Sequence, residues 1–323
     1  MVAWDAFRGD DAAWDAALAR LPGANAFQSS AWALHKTDFG WRPVRALAEG
    51  AALQALVKRL PGARVLWARG GPVGDPALWN AGLRETISRA AGGGPIYGRI
   101  CSYRENSAET EAALAASGWA RPSRPLDRNR TYLLDLAPEP ELIKGGLSSN
   151  WRHNLKRGEA RAAVVDWPRP DPAEMEGVYL AMEALKSIPL QHRADELGSL
   201  SRALGPRLIL KRAVVDGKTV ALRACALFAD SAIDLLAAAA PEARKVYASY
   251  ALLWALILEA RRLGAKYYDL GGADPDAARG VADFKGGVGA RAIETVGEWD
   301  FASPGLLRAP AGTLIAWKLG KGA

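Results

Sequence analysis

The pattern of hydrophobic and polar positions repeats one order of elements in both halves of the chain. In the first half it predicts strands at 41–49, 53–60 and 64–69, a helix at 77–91 and a strand at 96–100. In the second half, where Asp216-Gly217 is a strong hairpin signal, it predicts strands at 208–215, 219–228 and 232–240, a helix at 246–263 and a strand at 267–270. An antiparallel meander, a crossing helix and a returning strand, present twice, predict an α/β chain with mixed sheets.

The length of the chain agrees with two such units. A chain of 323 residues, half of them apolar, can fill two ordinary cores. A Pro-rich and Arg-rich stretch from Arg121 to Arg130 interrupts the periodic pattern. We therefore expect a first domain at 1–131, a second at 132–300, and a carboxy-terminal segment at 301–323 that packs back on the first.

Conventional catalytic and metal-binding motifs are absent from the sequence. The three histidines form no HExxH pattern, no serine lies in a G-x-S-x-G elbow, and there is no P-loop or Rossmann fingerprint. Cys101 and Cys225 are far apart and have no histidine at ligand spacing, so we expect two buried, reduced thiols. We expect no metal and no cofactor. No apolar run approaches the roughly 18 residues of a membrane span, and a cytoplasmic location is expected.

The charge of the chain is concentrated in one predicted helix. Lys and Arg number 42 against 35 Asp and Glu, a net charge of +7. Leu147, Trp151 and Leu155 form an apolar stripe on one face of the predicted helix at 148–161. Four cations lie on the other faces of this helix. These are Arg152, Lys156, Arg157 and Arg161. Two interpretations remain open, a solvated surface and a contact with RNA or phosphate.

A glycine-rich segment near the end of the second half is the strongest candidate for chemistry. The predicted strand YYDLGG at 267–272 ends in Gly271 and Gly272, which allow a ligand or another chain to approach the backbone closely. Lys285 follows within FKGGVG at 284–289. A lysine ammonium there can stabilise an oxyanion or a phosphate, and an ordinary glycine-rich turn is the alternative.

These motifs resemble the FemABX family of nonribosomal peptidyltransferases. YYDLGG, FKGGVG as a turn, and VGEWD at 296–300 are similar to the end of the family's second domain. The resemblance extends through the strand Tyr132–Leu136 and the basic helix into the first domain, at FQSSAW (27–32), Lys36 and WARGGPV (67–73). It implies two acetyltransferase-like (GNAT) domains in tandem, an aminoacyl-tRNA donor, and a UDP-linked or lipid-linked muropeptide acceptor.

The resemblance also implies roles for individual residues. Phe284 and Lys285 would face the acceptor end of the tRNA, with Lys285 acting on the oxyanion, while solvent, substrate phosphate or Asp283 takes the proton of the attacking amine. Lys36 and Arg193 would hold phosphate of the precursor. The other residues expected to bind substrate are Trp32, Arg69, Tyr268, Gly271 and Gly272.

The sequence departs from the family pattern in two respects. Val288 stands where an aromatic residue is common in the corresponding turn of the family. The coiled-coil insertion that some members use for tRNA contact is absent from this sequence. An acyl-CoA-dependent N-acyltransferase of surface polysaccharide, lipid or natural-product assembly is therefore the first alternative, and a noncatalytic RNA-binding module is the second. A lipid-linked acceptor would bring the protein into peripheral contact with the inner membrane face.

Overall fold

The computed structural model describes residues 3–126, 129–186, 192–273 and 278–320, which separate into two units. The first contains residues up to 131 together with 293–320, and the second contains residues 132–292. The strands are β1 Asp5–Ala6, β2 Arg42–Ala48, β3 Ala51–Leu60, β4 Ala63–Arg69, β5 Val73–Gly74, β6 Ile96–Glu105, β7 Arg130–Asp135, β8 Ala163–Asp166, β9 Leu208–Val215, β10 Lys218–Phe228, β11 Ser231–Ala239, β12 Tyr267–Asp269 and β13 Arg291–Ser303.

The helices follow the same chain order. They are α1 Asp11–Leu18, α2 Ser30–Thr37, α3 Ala81–Ala90, α4 Ala108–Ala116, α5 Pro140–Gly146, α6 Ser149–Arg161, α7 Pro172–Lys186, α8 Ala194–Leu204, α9 Pro241–Lys245, α10 Ala248–Arg262, α11 Arg279–Gly287 and α12 Arg308–Gly320. Single 3₁₀ turns occur at Ala26–Gln28, Pro76–Leu78, Gly205–Arg207 and Gly305–Leu307.

Both sheets have the strand arrangement that the repeated hydrophobic pattern predicts. In the first, β2, β3 and β4 form an antiparallel meander and β6 is parallel to β4. In the second, β9, β10 and β11 form the meander and β12 is parallel to β11. The helices α3 and α10 make the connections to the parallel strands. A parallel pair needs such a crossover, so the predicted order of strand, helix and strand is confirmed in each half.

The carboxy-terminal residues complete the first sheet. β13 pairs antiparallel with β6, and Arg308 at the start of α12 donates to Oδ1 of Asp300 at 2.5 Å and to the carbonyl of Arg121. Residues 293–300, which the sequence placed in the second domain, therefore lie in the first unit. The motif VGEWD resembles a closing strand of the second domain, but hydrogen bonding to β6 decides its position.

A buried arginine anchors this carboxy-terminal strand. Arg99 of β6 is 1% exposed and lies between Glu298 and Asp300 of β13, at 3.3 and 3.8 Å. Its Nε donates to the Tyr97 hydroxyl, which in turn donates to Asp300. A buried guanidinium is tolerated only when carboxylates and hydroxyls surround it in this way, so the ion pairs fix β13 against β6.

The helix α6 packs its predicted apolar face into the core of the second unit. Trp151 and Leu155 are buried, and the hydroxyl of Ser148 caps the helix by accepting from the backbone N–H of Trp151. The helix α10 contributes Leu253 and Ile257 to the same core. The apolar stripe therefore lies in the place that its spacing predicts.

Two local predictions are wrong. The segment FKGGVG was expected to form a turn, but Phe284, Lys285 and the two following glycines end the helix α11. The helix predicted from residue 246 begins instead at Ala248 as α10, because Tyr247, which separates it from α9, has a left-handed backbone with φ of +57°. A residue in that conformation interrupts a right-handed helix.

Gly158 allows α6 to approach the start of α10 very closely. A Cβ at this position would lie 2.8 Å from the carbonyl oxygen of Tyr247 and 3.2 Å from the Cβ of Ala251. The first of these atoms belongs to the backbone and cannot rotate away. The absence of a side chain at Gly158 therefore sets the distance between the two helices.

We expect Gly158→Ala to lower the thermal unfolding midpoint. Overpacking costs about 1–3 kcal/mol, which exceeds the roughly 1 kcal/mol that alanine gains over glycine in a helix. Gly177→Ala in α7 is the matched control, because no atom lies within 4 Å of its added Cβ. It should raise stability by about 0.4–1 kcal/mol. A Gly158→Ala protein more stable than the wild type would contradict the close packing.

Candidate active site in the second unit

A pair of oppositely charged side chains is buried in the second sheet. Arg223 of β10 donates from Nε to Oδ1 of Asp234 in β11 at 3.0 Å and from Nη2 to Oδ2 at 2.6 Å. Their side chains are 8% and 10% exposed. Directly after Arg223 the register of the two strands shifts between Ala224 and Cys225, an irregularity that re-aims side chains. Because an unpaired charge at this depth is strongly unfavourable, each side chain depends on the other.

Tyr268 extends this pair to the next strand. It lies fully buried in β12, and its hydroxyl donates to Oδ1 of Asp234 at 3.1 Å. Burial raises the pKa of Tyr268, and the negative charge of Asp234 raises it further. The phenol therefore stays protonated and acts as a donor. Tyr268 thus supports Asp234, and its role in binding substrate stays a prediction.

The two glycines after β12 hold the candidate catalytic lysine. Gly271 has φ of +70°, and its N–H donates to Oδ1 of Asp269 at 2.8 Å. This turn directs two carbonyl oxygens at Lys285, whose Nζ donates to Gly271 at 3.0 Å and to Gly272 at 2.7 Å. An ammonium has three N–H donors. Among the described residues no further acceptor binds Nζ, so one donor is available to a ligand.

Opposing influences act on the pKa of Lys285. The residue is 8% exposed, and burial lowers the pKa of Lys285 to about 8. The carboxylates of Asp234 and Asp269 oppose this shift, whereas the nearby Arg223 guanidinium adds to it. A lysine with a pKa this close to neutrality changes its charge within the range in which enzymes work, as is common at functional sites.

Phe284 belongs to an aromatic cluster beside the lysine. Its ring centroid lies 5.7 Å from that of Trp151 and 5.0 Å from that of Tyr250, and the Arg223 guanidinium lies 5.4 Å from it. The indole N–H of Trp151 donates to the carbonyl of Phe284 at 3.0 Å. These contacts fix the end of α11, and with it the backbone that carries Lys285.

Asp283 is placed differently from its neighbours. Its side chain is 71% exposed and lies 3.8 Å from Arg279 one turn earlier. On a helix, successive residues point in different directions, so Asp283 faces solvent while Lys285, two residues later, is buried. A role of Asp283 as base would therefore require a substrate that reaches it from solvent.

The four predicted cations of α6 have different surroundings. Lys156 and Arg161 are exposed. Arg152 is also exposed and donates to the carbonyls of Gly145 and Leu147. Arg157 is half-buried and donates to the hydroxyl of Tyr247 at 2.7 Å. The helix therefore presents a basic surface, and one of its cations contacts the aromatic ring of Tyr247.

The remaining predicted residue of the second unit lies at a helix start. Arg193 precedes α8, is 68% exposed, and lies 3.5 Å from Glu176 of α7. No contact joins it to Lys285 or Phe284 among the described residues. An exposed ion pair of this kind is weak and can open to receive a phosphate.

The predicted residues of the first unit lie in a second aromatic and basic cluster. Nζ of Lys36 lies 4.9 Å from the ring centroid of Trp32, which is itself buried. The guanidinium of Arg69 lies 4.0 Å from the ring centroid of Phe27 and donates to the hydroxyl of Tyr103. The rings of Phe27 and Trp32 are in edge contact at 4.7 Å, so the cluster is continuous within this unit.

Sequence reasoning missed Arg223, Asp234 and Tyr250. The first two carried a signal, since each is a lone charge inside an otherwise apolar strand and must find a buried partner. Tyr250 lies within the helix predicted at 246–263, and nothing in the sequence distinguishes it from the apolar residues of that helix.

Within the described ranges, two further features are absent. No group of three His, Cys, Asp or Glu residues is arranged to hold a metal ion. None of the described helices has the length and hydrophobicity needed to cross a membrane.

We expect Asp234→Asn to lower the free energy of unfolding by about 3–5 kcal/mol, because it leaves the Arg223 charge buried without a counter-charge. The double variant Arg223→Met with Asp234→Leu removes both charges and should lie much nearer the wild type. Urea denaturation measures both. If the single and double variants are equally destabilised, the buried pair is not the cause.

Comparisons with known proteins agree with this arrangement. The FemAB family model matches residues 212–309, which include Arg223, Asp234 and Lys285. No curated protein matches the chain. The crystal structure of FemX has the same fold, with a TM-score of 0.81 and 15% identity over 96% of this chain and 99% of that one.

Two further structures share the fold at a greater distance. The carboxy-terminal domain of a putative lysylphosphatidylglycerol synthetase from Agrobacterium fabrum has a TM-score of 0.57 at 15% identity, covering 95% of this chain and 97% of its own. A tandem GNAT protein of clavulanic acid biosynthesis has a TM-score of 0.57 at 12% identity, covering 94% and 98%. These folds confirm the expected tandem acetyltransferase-like architecture, and the FemAB family model, which matches residues 212–309, agrees with the FemABX resemblance over that part of the chain.

Proposed function

We propose that this protein is an aminoacyltransferase that moves an amino acid from aminoacyl-tRNA to an amine of a peptidoglycan precursor. The match of the FemAB family model to residues 212–309 supports acyl transfer in general. The observation that carries the proposal is the ammonium of Lys285, held by the carbonyls of Gly271 and Gly272, with no third acceptor among the described residues. A cation fixed in this way is suited to a negative charge that develops during the reaction.

The proposed reaction needs little more than positioning and charge. The acceptor amine attacks the ester carbonyl of the donor, a C–N bond forms, and the ester C–O bond to the terminal ribose breaks. Lys285 stabilises the oxyanion of the tetrahedral intermediate. The proton lost by the amine finally resides on the released ribose hydroxyl. Solvent or substrate phosphate is better placed to carry it than Asp283, which lies on the exposed side of α11.

The acceptor is proposed to be a UDP-linked or lipid-linked muropeptide. Lys36 in the first unit and Arg193 in the second are proposed to bind its phosphates, and Trp32 and Arg69 to line the surface around Lys36. Lys36 is half-buried beside the Trp32 ring, which replaces part of the water around its ammonium and so favours binding of an anion. The reaction is proposed to occur in the cytoplasm, at the inner membrane face if the acceptor is lipid-linked.

An acyl-CoA-dependent N-acyltransferase is the second candidate. The fold shared with a tandem GNAT protein of clavulanic acid biosynthesis favours it. The basic surface of α6 favours the tRNA donor instead, because exposed cations such as Arg152, Lys156 and Arg161 can contact the phosphates of a nucleic acid. The third candidate, a noncatalytic RNA-binding protein, does not require a buried lysine ammonium held by two backbone carbonyls.

Transfer should be measured with labelled aminoacyl-tRNA and a UDP-linked muropeptide, following label into an amide product, with acyl-CoA as donor in a parallel reaction. We expect label from tRNA, and about a 10²-fold or greater loss of turnover in Lys285→Ala. Lys266→Ala, which removes an exposed lysine of the same unit, is the control and should retain turnover. Label from coenzyme A alone would establish the second candidate, and an unchanged Lys285→Ala would refute the role of the lysine.

The pH dependence of turnover provides an independent check on Lys285. The folded pKa of about 8 lies below the ordinary value of lysine, so the ammonium is fully present below that pH and is lost as pH rises through it. Turnover should therefore fall on the alkaline side of about pH 8. In Lys285→Arg the cation persists at every pH used, and the reduced activity should lack this alkaline decline. A decline shared by both proteins would have another origin.

A further inference from the structure

The helix α12 rests on the first unit through one of its faces. Arg308 at its start donates to Asp300 and to the carbonyl of Arg121. Gly312, one turn later, is buried, and a Cβ at this position would lie 4.0 Å from Nη2 of the buried Arg99. Residues four apart lie on the same side of a helix, so Arg308 and Gly312 define the inward face of α12.

The outward face of α12 is apolar although it is exposed to solvent. The 3₁₀ turn Gly305–Leu307 runs directly into the helix, and Leu306 in this turn is 90% exposed. Leu314 is 44% exposed, and the exposed Ala309 and Pro310 lie between the two leucines. Positions separated by four and eight residues share one side of a helix. A contiguous apolar patch of this kind marks contact with a membrane or with another protein.

A basic side chain adjoins this apolar face. An open groove of about 680 Å³ is lined by Arg124, Ala309, Pro310, Thr313 and Leu314. Arg124 is exposed, and its carbonyl accepts from the buried Arg99 at 3.2 Å, which holds its segment beside α12. The sequence of this region is also cationic, since residues 302–323 contain three Lys or Arg and no Asp or Glu. The surface therefore combines apolar side chains with net positive charge.

We propose that the outward face of α12, together with Arg124, docks on an anionic phospholipid bilayer, with the side chains of Leu306 and Leu314 entering the lipid. A helix lies in the plane of the interface when its apolar face enters the acyl boundary and nearby cations meet the head groups. At 13 residues, α12 is about 20 Å long, so it suits the surface and does not span the bilayer. Only the use of this binding, which would bring the protein to a lipid-linked acceptor, rests on the proposed function.

Charge and shape favour lipid over a second copy of the chain. In a symmetric dimer the same surface meets itself, so Arg124 and the cations of residues 302–323 would lie close to their copies. These residues include no Asp or Glu that could neutralise them. The apolar face is also one helix wide, whereas a stable dimer needs roughly 20–30 residues from each side. Anionic head groups supply the missing negative charge, and fluid lipid adapts to the protruding Leu306.

The experiment measures sedimentation of the full chain with sucrose-loaded vesicles made of equal parts phosphatidylglycerol and phosphatidylcholine, or of phosphatidylcholine alone. We expect binding to the mixed vesicles and about 5-fold or more weaker binding to phosphatidylcholine. Leu306→Ser should weaken binding to the mixed vesicles about 10-fold or more, because one inserted leucine is lost. Leu306→Ile keeps the apolar side chain and should bind as the wild type does. Leu142→Ser, which removes a leucine of α5 that is 70% exposed, is the matched control and should leave binding unchanged.

A further variant separates charge from insertion. Arg124→Gln should weaken binding to the mixed vesicles about 5-fold and leave binding to phosphatidylcholine unchanged. Its binding should also depend less on salt than that of the wild type, because salt screens the attraction between the guanidinium and the head groups. Leu306→Ser should keep the salt dependence of the wild type. Both side chains are exposed, so both variants are expected to unfold at the temperature of the wild type.

The outcomes distinguish lipid from a second copy and from the proposed reaction. If Leu306→Ser binds the mixed vesicles as tightly as the wild type, or if phosphatidylcholine alone is bound equally well, the inference is overturned. A dimer in sedimentation equilibrium that Leu306→Ser dissociates would assign the face to a second copy and also overturn it. Vesicle binding needs neither donor nor acceptor. If vesicles are bound as expected but no amide forms from aminoacyl-tRNA, the surface stands and the proposed function fails. If amide forms with the UDP-linked muropeptide but no vesicles are bound, the function stands and the surface is refuted.

Discussion

The second unit depends on one buried ion pair, Arg223 with Asp234. Neither charge is tolerable alone at that depth, so β10 and β11 can align only where the two meet. The same carboxylate accepts the Tyr268 hydroxyl from β12, and the same guanidinium lies over Phe284 of α11. Three strands and one helix are thereby aligned around a single pair. Lys285 is next to Phe284, so the position of the reactive ammonium follows from this alignment.

The first unit uses a related arrangement for a different purpose. Arg99 is buried between Glu298 and Asp300, and Arg308 binds Asp300 from the other side. These contacts join the last strand and helix of the chain to a strand formed about two hundred residues earlier. In both units a buried arginine of the sheet, with its carboxylate partners, specifies which strands pair. Apolar side chains alone specify strand pairing less strictly, because they can pack against many partners.

Sequence patterning anticipated the features that depend on local order. Alternation, the Asp216-Gly217 turn and the glycines after β12 predicted both meanders, and the FemABX motifs directed attention to Lys285. Features that depend on distant pairing were missed. Arg223 and Asp234 are each a single charged residue in an otherwise apolar strand, and their pairing becomes evident only when β10 and β11 are aligned. The placement of 293–300 follows from hydrogen bonds to β6, and the break at Tyr247 follows from contact with Gly158, neither of which local periodicity records.

The burial of both cysteines has a practical consequence for work in solution. Cys101 and Cys225 are 3% and 0% exposed, and burial raises the pKa of Cys225 to about 12, so its reactive thiolate is almost absent at neutral pH. Maleimide or nitroxide reagents should therefore leave the natural thiols untouched in the folded protein. A cysteine introduced at one chosen surface position becomes the single attachment point for a fluorophore or spin label, without prior removal of the native residues.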